Sequence, residues 1–261
     1  MYSEHEILDR NEQDNRRAAH FHQRREALYT LFARCFGLEI DPEAWEALGT
    51  LPGLAGDYLV FLGGPDRELA EGLESLARVR EELASQGDAS LLVQLAREYA
   101  SNFLGVGPDT ASLCESHYRH DDRSKADSIY FRVKNHYQMA ELAKSGTFSE
   151  PEDHLAVEFS FMAHLCARGC ANAAAKPREL RALLEWQRDF LQGHLLIWVP
   201  AFNHNVAGMA QGRFYTSIAA LATRFLELEN GWLTQKLQDW NCITQTDEFV
   251  RTTSETSESE I

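Results

Sequence analysis

Residues 150–162 read EPEDHLAVEFSFM, and this stretch is the most informative part of the chain. Pro151 is typical of a first helical position, because proline lacks a backbone N–H and its fixed φ suits a helix start. Glu152 and Asp153 would follow in the first turn, where the helix dipole favours carboxylates. The stretch therefore predicts a helix from Pro151 to about Arg168. Its buried stripe, at helical spacing, would consist of Leu155, Phe159 and Met162.

His154 and Glu158 are four residues apart, so an imidazole–carboxylate contact is available on one face of this helix. Two interpretations are open from the residues alone. The first is an acidic helix N-terminus with a hydrogen-bonded histidine, and the second is a general acid/base site. Because neither a nucleophile nor a metal-binding motif accompanies the Asp153–His154 pair, the first interpretation is favoured.

Helical periodicity extends over most of the chain, without sustained period-2 alternation or internal repeats. The predicted fold is therefore all-α, a single helical domain of about 8–10 helices. Besides the helix at Pro151, the helices are expected near 15–36, 42–48, 66–83, 89–104, 125–144, 177–195, 205–229 and 233–240. Asp41 and Asp66 are predicted N-caps, and the apolar run 195–202 contains Pro200.

The chain is predicted to consist of two helical halves, 15–146 and 147–245, joined by a hinge near Gly146–Pro151. Residues 1–14 are polar and are predicted to be a flexible N-terminus. Residues 246–261 lack core-forming side chains and are predicted to be a disordered acidic tail.

The net charge excludes several classes of partner. Asp and Glu number 40 against 25 Lys and Arg, which gives −15 at pH 7. Nucleic acid and anionic lipid both require clustered basic residues, so neither is an expected partner, whereas a basic partner is. Five scattered cysteines do not suggest a secreted disulfide framework. With no signal peptide and no apolar run long enough to span a bilayer, a cytoplasmic protein without stable membrane insertion is expected.

Enzyme and metal motifs are missing from the sequence. It contains no P-loop, no GxGxxG after a strand, no nucleophile elbow and no HExxH. Cys166 and Cys170 lie one helical turn apart, but a closed tetrahedral site would need two more ligands, so core packing is the favoured interpretation. His117 and His120 lie in a polar loop without a companion pair. No metal site, catalytic residue or bound cofactor is predicted.

Four stretches, taken in order, resemble the TorD/DmsD/NarJ family of redox-enzyme maturation chaperones, in its TorD/DmsD-like branch. Residues 150–162 match the family's EPxDHxxxExxxM hallmark. Residues 98–118 resemble its YxxxFxGxG…ESxY stretch, 25–29 its first core helix and 194–202 its HLxxWxPxF segment. The resemblance covers about residues 20–230.

The resemblance implies an all-helical cytoplasmic chaperone. Such proteins bind the twin-arginine leader of a molybdopterin-containing oxidoreductase of the DMSO-reductase family. They hold the apo form of its catalytic subunit until the cofactor is inserted, and they delay its export. The resemblance also implies weak guanine-nucleotide binding and either a monomer or a domain-swapped dimer. Which molybdoenzyme is the client does not follow from the sequence.

The family's leader-binding residues carry over only where the motifs match. Asp153 and His154 occupy the pair implicated in leader recognition, at the junction between the two halves. The other positions that the resemblance implies are Glu150, Pro151, Glu158, Tyr99, Ser116 and Tyr118. One departure is that Ser112, Leu113 and Cys114 stand where relatives often have two prolines and an aromatic residue.

The chemistry of carboxylates agrees with this assignment. A carboxylate can bind a guanidinium in a bidentate manner, and a groove between helices can receive an apolar helix. We therefore expect Asp153, helped by Glu150 or Glu152, to meet the leader's basic end while apolar side chains receive the rest. Two alternatives stay open, namely an unrelated helical scaffold that binds another basic or amphipathic helix, and an enzyme that uses His154.

Overall fold

The computed structural model describes the backbone of residues 4–106, 109–119, 123–143, 148–172, 176–209 and 212–258. Side chains are described for 12–106, 109–119, 129–143, 148–171, 176–209 and 212–242. The helices are α1 (Glu4–Gly37), α2 (Pro42–Ala47), α3 (Leu51–Leu62), α4 (Arg67–Ala84), α5 (Asp88–Phe103), α6 (Glu115–Tyr118), α7 (Arg123–Met139), α8 (Leu155–Asn172), α9 (Pro177–Phe190), α10 (Leu196–Ala207) and α11 (Arg213–Glu258). A 3-10 turn (Leu48–Thr50) joins α2 to α3, and a π-helical segment (Leu191–Leu195) joins α9 to α10.

The all-α prediction is confirmed, and the predicted caps form. Asp41 accepts a hydrogen bond from the Ala44 backbone N at 2.8 Å, with Pro42 at the helix start. Asp66 accepts one from the Leu69 N at 2.8 Å. Each cap satisfies an N–H group that has no partner within its helix.

Helix α1 packs along α8, and this pair forms the centre of the core. The predicted stripe of α8 is buried, since Leu155, Phe159 and Met162 are all 0% exposed. The ring of Phe159 lies 6.0 Å from that of Phe32 and 6.4 Å from that of Phe36. Helix α11 packs against α4, α9 and α10 on the other side of the core.

A fully buried ion pair ties α1 to α11. Arg25 donates to Glu229 at 2.7 Å, and both side chains are 0% exposed. Tyr58 also donates to Glu229, and a third N–H of the guanidinium is bonded to Gln187 Oε1. Since the pair joins elements from both predicted halves, the two halves share one core. The division into halves with a hinge stays a prediction, and 144–147 lie outside the described residues.

The buried side chain of His22 makes the stability of the fold depend on pH. Burial and the neighbouring charge of Arg25 lower the pKa of His22 from 6.5 to about 3. Between these values the unfolded chain binds a proton that the folded chain does not. The free energy of unfolding should therefore fall, as the pH drops from 6.5 towards 3, by up to about 1.4 kcal/mol per pH unit from this residue.

We expect His22→Gln to make the urea-unfolding free energy less dependent on pH across this window. The glutamine oxygen can still accept from Arg25, whose Nη1 lies 3.1 Å from His22 Nδ1. The exposed His204 provides the matched control, His204→Gln. Identical pH slopes for wild type and His22→Gln would contradict the assignment.

Several helix boundaries differ from the predictions. The predicted helices at 177–195 and 205–229 are instead α9, α10 and α11, with a break at Gly212, whose φ of +105° requires glycine. Pro200 lies inside α10, beyond the end of the π-helical segment, and as a residue without an N–H it removes one hydrogen bond from that helix. Helices α1 and α11 extend into 1–14 and 246–261, but no side chains are described there before 12 or after 242, and flexibility stays a prediction.

Candidate functional site

The segment 113–116 pairs with the segment 153–155, and this pairing shapes the site. Glu115 N donates to Asp153 O at 3.0 Å, and Leu155 N donates to Leu113 O at 2.8 Å. The result is an isolated antiparallel bridge between Cys114 and His154. The contact brings together two of the sequence stretches on which the family resemblance rests.

The pairing overturns the predicted start of α8. Residues 151–154, hereafter the 151–154 turn, form a turn that His154 N closes onto Pro151 O at 3.2 Å. Helix α8 begins at Leu155 rather than at Pro151. The prediction was wrong because the backbone of Asp153 is engaged by 115, which periodicity within one helix cannot reveal.

His154 caps α8. Its Nδ1 accepts from Ala156 N at 3.1 Å, and its carbonyl oxygen accepts from the N–H groups of Val157 and Glu158. The side chain is buried, with its ring 5.6 Å from that of Phe148. The Glu158 carboxylate accepts instead from Trp198 Nε1 at 3.1 Å. The histidine therefore has a structural role at the start of α8.

Asp153 is buried and holds α6 in place. It is 2% exposed, and its Oδ2 accepts from Ser116 N at 2.9 Å. The two residues that the resemblance implied as neighbours are thus in direct contact. Glu152 is tied to α7, because Lys134 lies 3.8 Å from its carboxylate and Tyr137 donates to its carbonyl.

Three buried polar side chains, Glu115, Glu158 and His194, converge beside this pairing; we call them the buried cluster. Glu115 Oε2 lies 2.8 Å from His194 Nδ1, and its other oxygen accepts from Arg119. Sequence reasoning assigned no role to Glu115 or His194. The signal was nevertheless there, because both lie in the motif stretches 98–118 and 194–202.

The pKa values of the two carboxyl groups in the buried cluster are shifted in opposite directions. Burial, together with the charge of Glu115, raises the pKa of Glu158 well above its usual value. Burial also opposes ionisation of Glu115, but hydrogen bonds with His194 and Arg119 hold its pKa below the usual value. Burial raises the pKa of the nearby Cys114 thiol to about 12, so that thiol is neutral.

Of the predicted aromatic positions, Tyr118 joins this region and Tyr99 packs next to it. The Tyr118 ring stacks on Trp198 at 5.4 Å. Tyr99 is 5% exposed and donates to Phe36 O at 3.0 Å, which fixes α5 to the end of α1. Burial, followed by the charges of Glu150 and Glu39, raises the pKa of Tyr99 to about 12. These two carboxylates therefore lie near Tyr99.

An apolar cavity of about 550 Å³ opens between α1, α8 and the stretch after α7. Arg34 stands at its edge with its guanidinium bonded to Asp41 and to the carbonyl of Glu39. Phe148, which contacts His154, forms one wall, so the cavity adjoins the 151–154 turn. Sequence reasoning missed this cavity. Its apolar lining includes Ala33, Gly37, Leu38, Leu142, Val157 and Phe161.

The cysteine stretch of α8 is part of the core. Cys166 is 0% exposed, and its Sγ lies 3.9 Å from Gln187 Oε1. Burial raises the pKa of its thiol to about 12, which disfavours the thiolate that a metal needs. Core packing is thus the interpretation that the geometry supports. Of the histidine pair, His120 lies outside the described residues.

Comparison with known proteins supports the family that the motifs predict. Residues 65–204, more than half of the chain, match the family described as nitrate reductase delta subunit. The chaperone protein TorD of Vibrio cholerae serotype O1 is 29% identical over 193 residues, covering 71% of this chain and 83% of that protein. The chaperone protein TorD of Shewanella pealeana is 28% identical over 222 residues, covering 82% and 92%.

The all-α fold and the contact between the two motif stretches agree with this similarity to helical chaperones. The chain belongs to the TorD/DmsD/NarJ family of redox-enzyme maturation chaperones, as its motifs predicted. Within the part of the chain that is described, no helix has both the length and the apolar character that crossing a membrane requires.

Proposed function

We propose that this protein is a cytoplasmic chaperone for one molybdopterin-containing oxidoreductase of the DMSO-reductase family. It binds the twin-arginine leader of the apo catalytic subunit and assists cofactor insertion before export. The observation that carries the proposal is the apolar cavity beside the 151–154 turn. Family membership and the net charge of −15 support it, because a twin-arginine leader is basic.

The cavity is matched to the apolar part of a leader. At about 550 Å³ it lies within the range of about 300–1,000 Å³ that small-ligand sites occupy. That volume accommodates a few apolar side chains from one face of a helix rather than a whole helix. The leader would therefore place its apolar segment across the opening, in the helix-in-groove mode.

The leader's arginines would meet exposed carboxylates first. Glu150 and Glu39 are exposed and lie near Tyr99, beside the end of α1 that borders the cavity. Asp153 is 2% exposed and already bonded to Ser116 N, so a bidentate contact with a leader arginine would require the turn to open. In this proposal Asp153 positions the 151–154 turn and contributes negative charge, while Glu150 makes the first contact.

Titration calorimetry with the synthetic twin-arginine leader of a molybdopterin-containing oxidoreductase from the same organism tests the proposal. The same peptide with both arginines changed to glutamine, and a peptide of identical composition in scrambled order, are the comparisons. We expect the native leader to bind more tightly than either by at least about tenfold. Equal affinity for the scrambled peptide would instead support the alternative of an unspecific scaffold for basic helices.

Asp153→Asn should weaken leader binding by about tenfold while the protein stays folded. The amide oxygen of asparagine can still accept from Ser116 N, so the junction is kept and only the charge is lost. Circular dichroism checks the fold and calorimetry the affinity. The exposed Asp239→Asn removes the same charge from a distant part of α11. Unchanged affinity in Asp153→Asn would remove Asp153 from the proposed site.

The remaining functions stay proposals on family grounds. They are retention of the apo catalytic subunit until cofactor insertion, weak guanine-nucleotide binding, and exchange between a monomer and a domain-swapped dimer. Copurification of the oxidoreductase, and its loss when the leader is deleted, would test the first of these.

A further inference from the structure

The buried cluster brings three metal-binding groups to one point. One donor atom from each of Glu115, Glu158 and His194 lies within 4.8 Å of the others. The three residues come from α6, α8 and the π-helical segment, and they are 0%, 0% and 4% exposed. Such convergence of two carboxylates and an imidazole, from segments far apart in the sequence, is the pattern of a metal site.

One atom of the buried cluster lacks a hydrogen-bond donor. Glu158 Oε2 accepts from Trp198, whereas its Oε1 is buried and receives no hydrogen bond from a donor group among the described residues. Its polar neighbour is the Glu115 carboxylate. A buried carboxylate oxygen without a hydrogen-bond donor is energetically unfavourable, because it has lost its hydrogen bonds to water and gained none within the protein. The Glu158 carboxylate has an oxygen within 4.8 Å of donor atoms of Glu115 and His194, so a cation bound by all three groups would relieve the cost.

The charges around the buried cluster also favour the binding of a cation. Three buried carboxyl groups, those of Glu115, Asp153 and Glu158, lie near one another in this region. Arg119 is the cation bonded to them, at Glu115. With Glu158 protonated, two carboxylates against one guanidinium leave a formal charge of −1. A divalent cation that replaces the Glu158 proton would bring the three carboxylates and the guanidinium to neutrality.

We propose that Glu115, Glu158 and His194 bind one Zn²⁺ ion. One imidazole nitrogen and two carboxylate oxygens form a three-residue donor set that Zn²⁺ accepts, with water as the fourth ligand. The imidazole disfavours Mg²⁺ and Ca²⁺, which take oxygen ligands. Trp198 Nε1 would hold Glu158 from the second coordination shell.

A bound ion at this position would fix the junction on which the proposed leader site depends. It would join α6 to α8 and to the π-helical segment, directly behind the pairing of 113–116 with 153–155. Metal loading would thereby stabilise the fold. The inference stands apart from leader recognition, since it rests only on the buried cluster and its test uses no peptide.

The test is calorimetric titration of the chelator-treated protein with Zn²⁺, followed by metal analysis after gel filtration. We expect one equivalent in the wild type, a rise in melting temperature, and at least about tenfold weaker binding in Glu158→Gln, which keeps the side-chain shape. Cys242→Ser, which removes an exposed thiol, is the control and should bind one equivalent as the wild type does.

Three results would overturn the proposal. The first is the absence of Zn²⁺ uptake by the wild type, which would mean that Glu158 keeps its proton. Alternatively, Glu158→Gln could bind like the wild type, or Cys242→Ser could abolish binding. If Glu158→Gln does not fold, Co²⁺-loaded wild type decides the matter. A tetrahedral d–d spectrum without a thiolate charge-transfer band supports the site, and a thiolate band or no uptake contradicts it.

Discussion

Replacing Arg25 by methionine should lower the free energy of unfolding by about 3–5 kcal/mol. The change leaves the Glu229 carboxylate, which is 0% exposed, without its charged partner at 2.7 Å. Tyr58 alone cannot compensate, because its hydroxyl provides a single neutral hydrogen bond to that carboxylate. The unfolding free energy is measured by urea denaturation at pH 7.

The matched control is Arg213→Met. Arg213 pairs with Glu82 at the surface, where the two side chains are 73% and 56% exposed. Solvent screens this pair, so its loss should cost no more than about 1 kcal/mol. A loss in Arg25→Met as small as that in the control would show that Glu229 takes up a proton, or reaches water, at little cost.

Phe159→Ala should destabilise the protein by a similar amount, about 3–5 kcal/mol. Phe159 is 0% exposed and its ring packs against α1, 6.0 Å from the ring of Tyr29 and 6.0 Å from that of Phe32. Its removal leaves a cavity in the α1–α8 contact, which the rigid helices can only partly close. Urea denaturation again gives the unfolding free energy.

Phe131→Ala is the same substitution on the exposed face of α7, where the side chain is 57% exposed. It should change the unfolding free energy by about 0.5 kcal/mol or less. An equal decrease in the free energy of unfolding for both variants would contradict the claim that the contact between α8 and α1 is the centre of the core.

The all-α fold could be predicted from the sequence, because the signals that form its helices act between residues close together in the chain. The stripe of Leu155, Phe159 and Met162 and the caps at Asp41 and Asp66 act within a few residues, and all were predicted. Helix boundaries were predicted wrongly where a segment distant in sequence contacts the end of the helix. Helix α8 starts at Leu155 because 113–115 occupies the backbone of the preceding turn, a contact that no periodicity encodes.

The candidate site was predicted only in part, for the same reason. The motif residues Asp153 and Ser116 do meet, across 37 residues of sequence. The contact between Glu115 and His194 spans 79 residues and the pair of Arg25 and Glu229 spans 204, so neither could be read from spacing. The apolar cavity likewise requires α1 and α8 to pack together before it exists.

The proposed use of that cavity can be tested by filling it. Ser160 is exposed on α8 and lines the cavity, so Ser160→Trp places an indole in the opening without disturbing the core. Ser90→Trp puts the same side chain on the exposed face of α5, away from the cavity. Both variants should keep the melting temperature of the wild type.

Calorimetric titration of the three proteins with the native twin-arginine leader is the most direct measurement. We expect Ser160→Trp to bind at least about tenfold more weakly, a loss of about 1.4 kcal/mol, and Ser90→Trp to bind as the wild type does. Equal affinity in all three proteins would contradict the claim that the leader's apolar segment occupies the cavity beside the 151–154 turn.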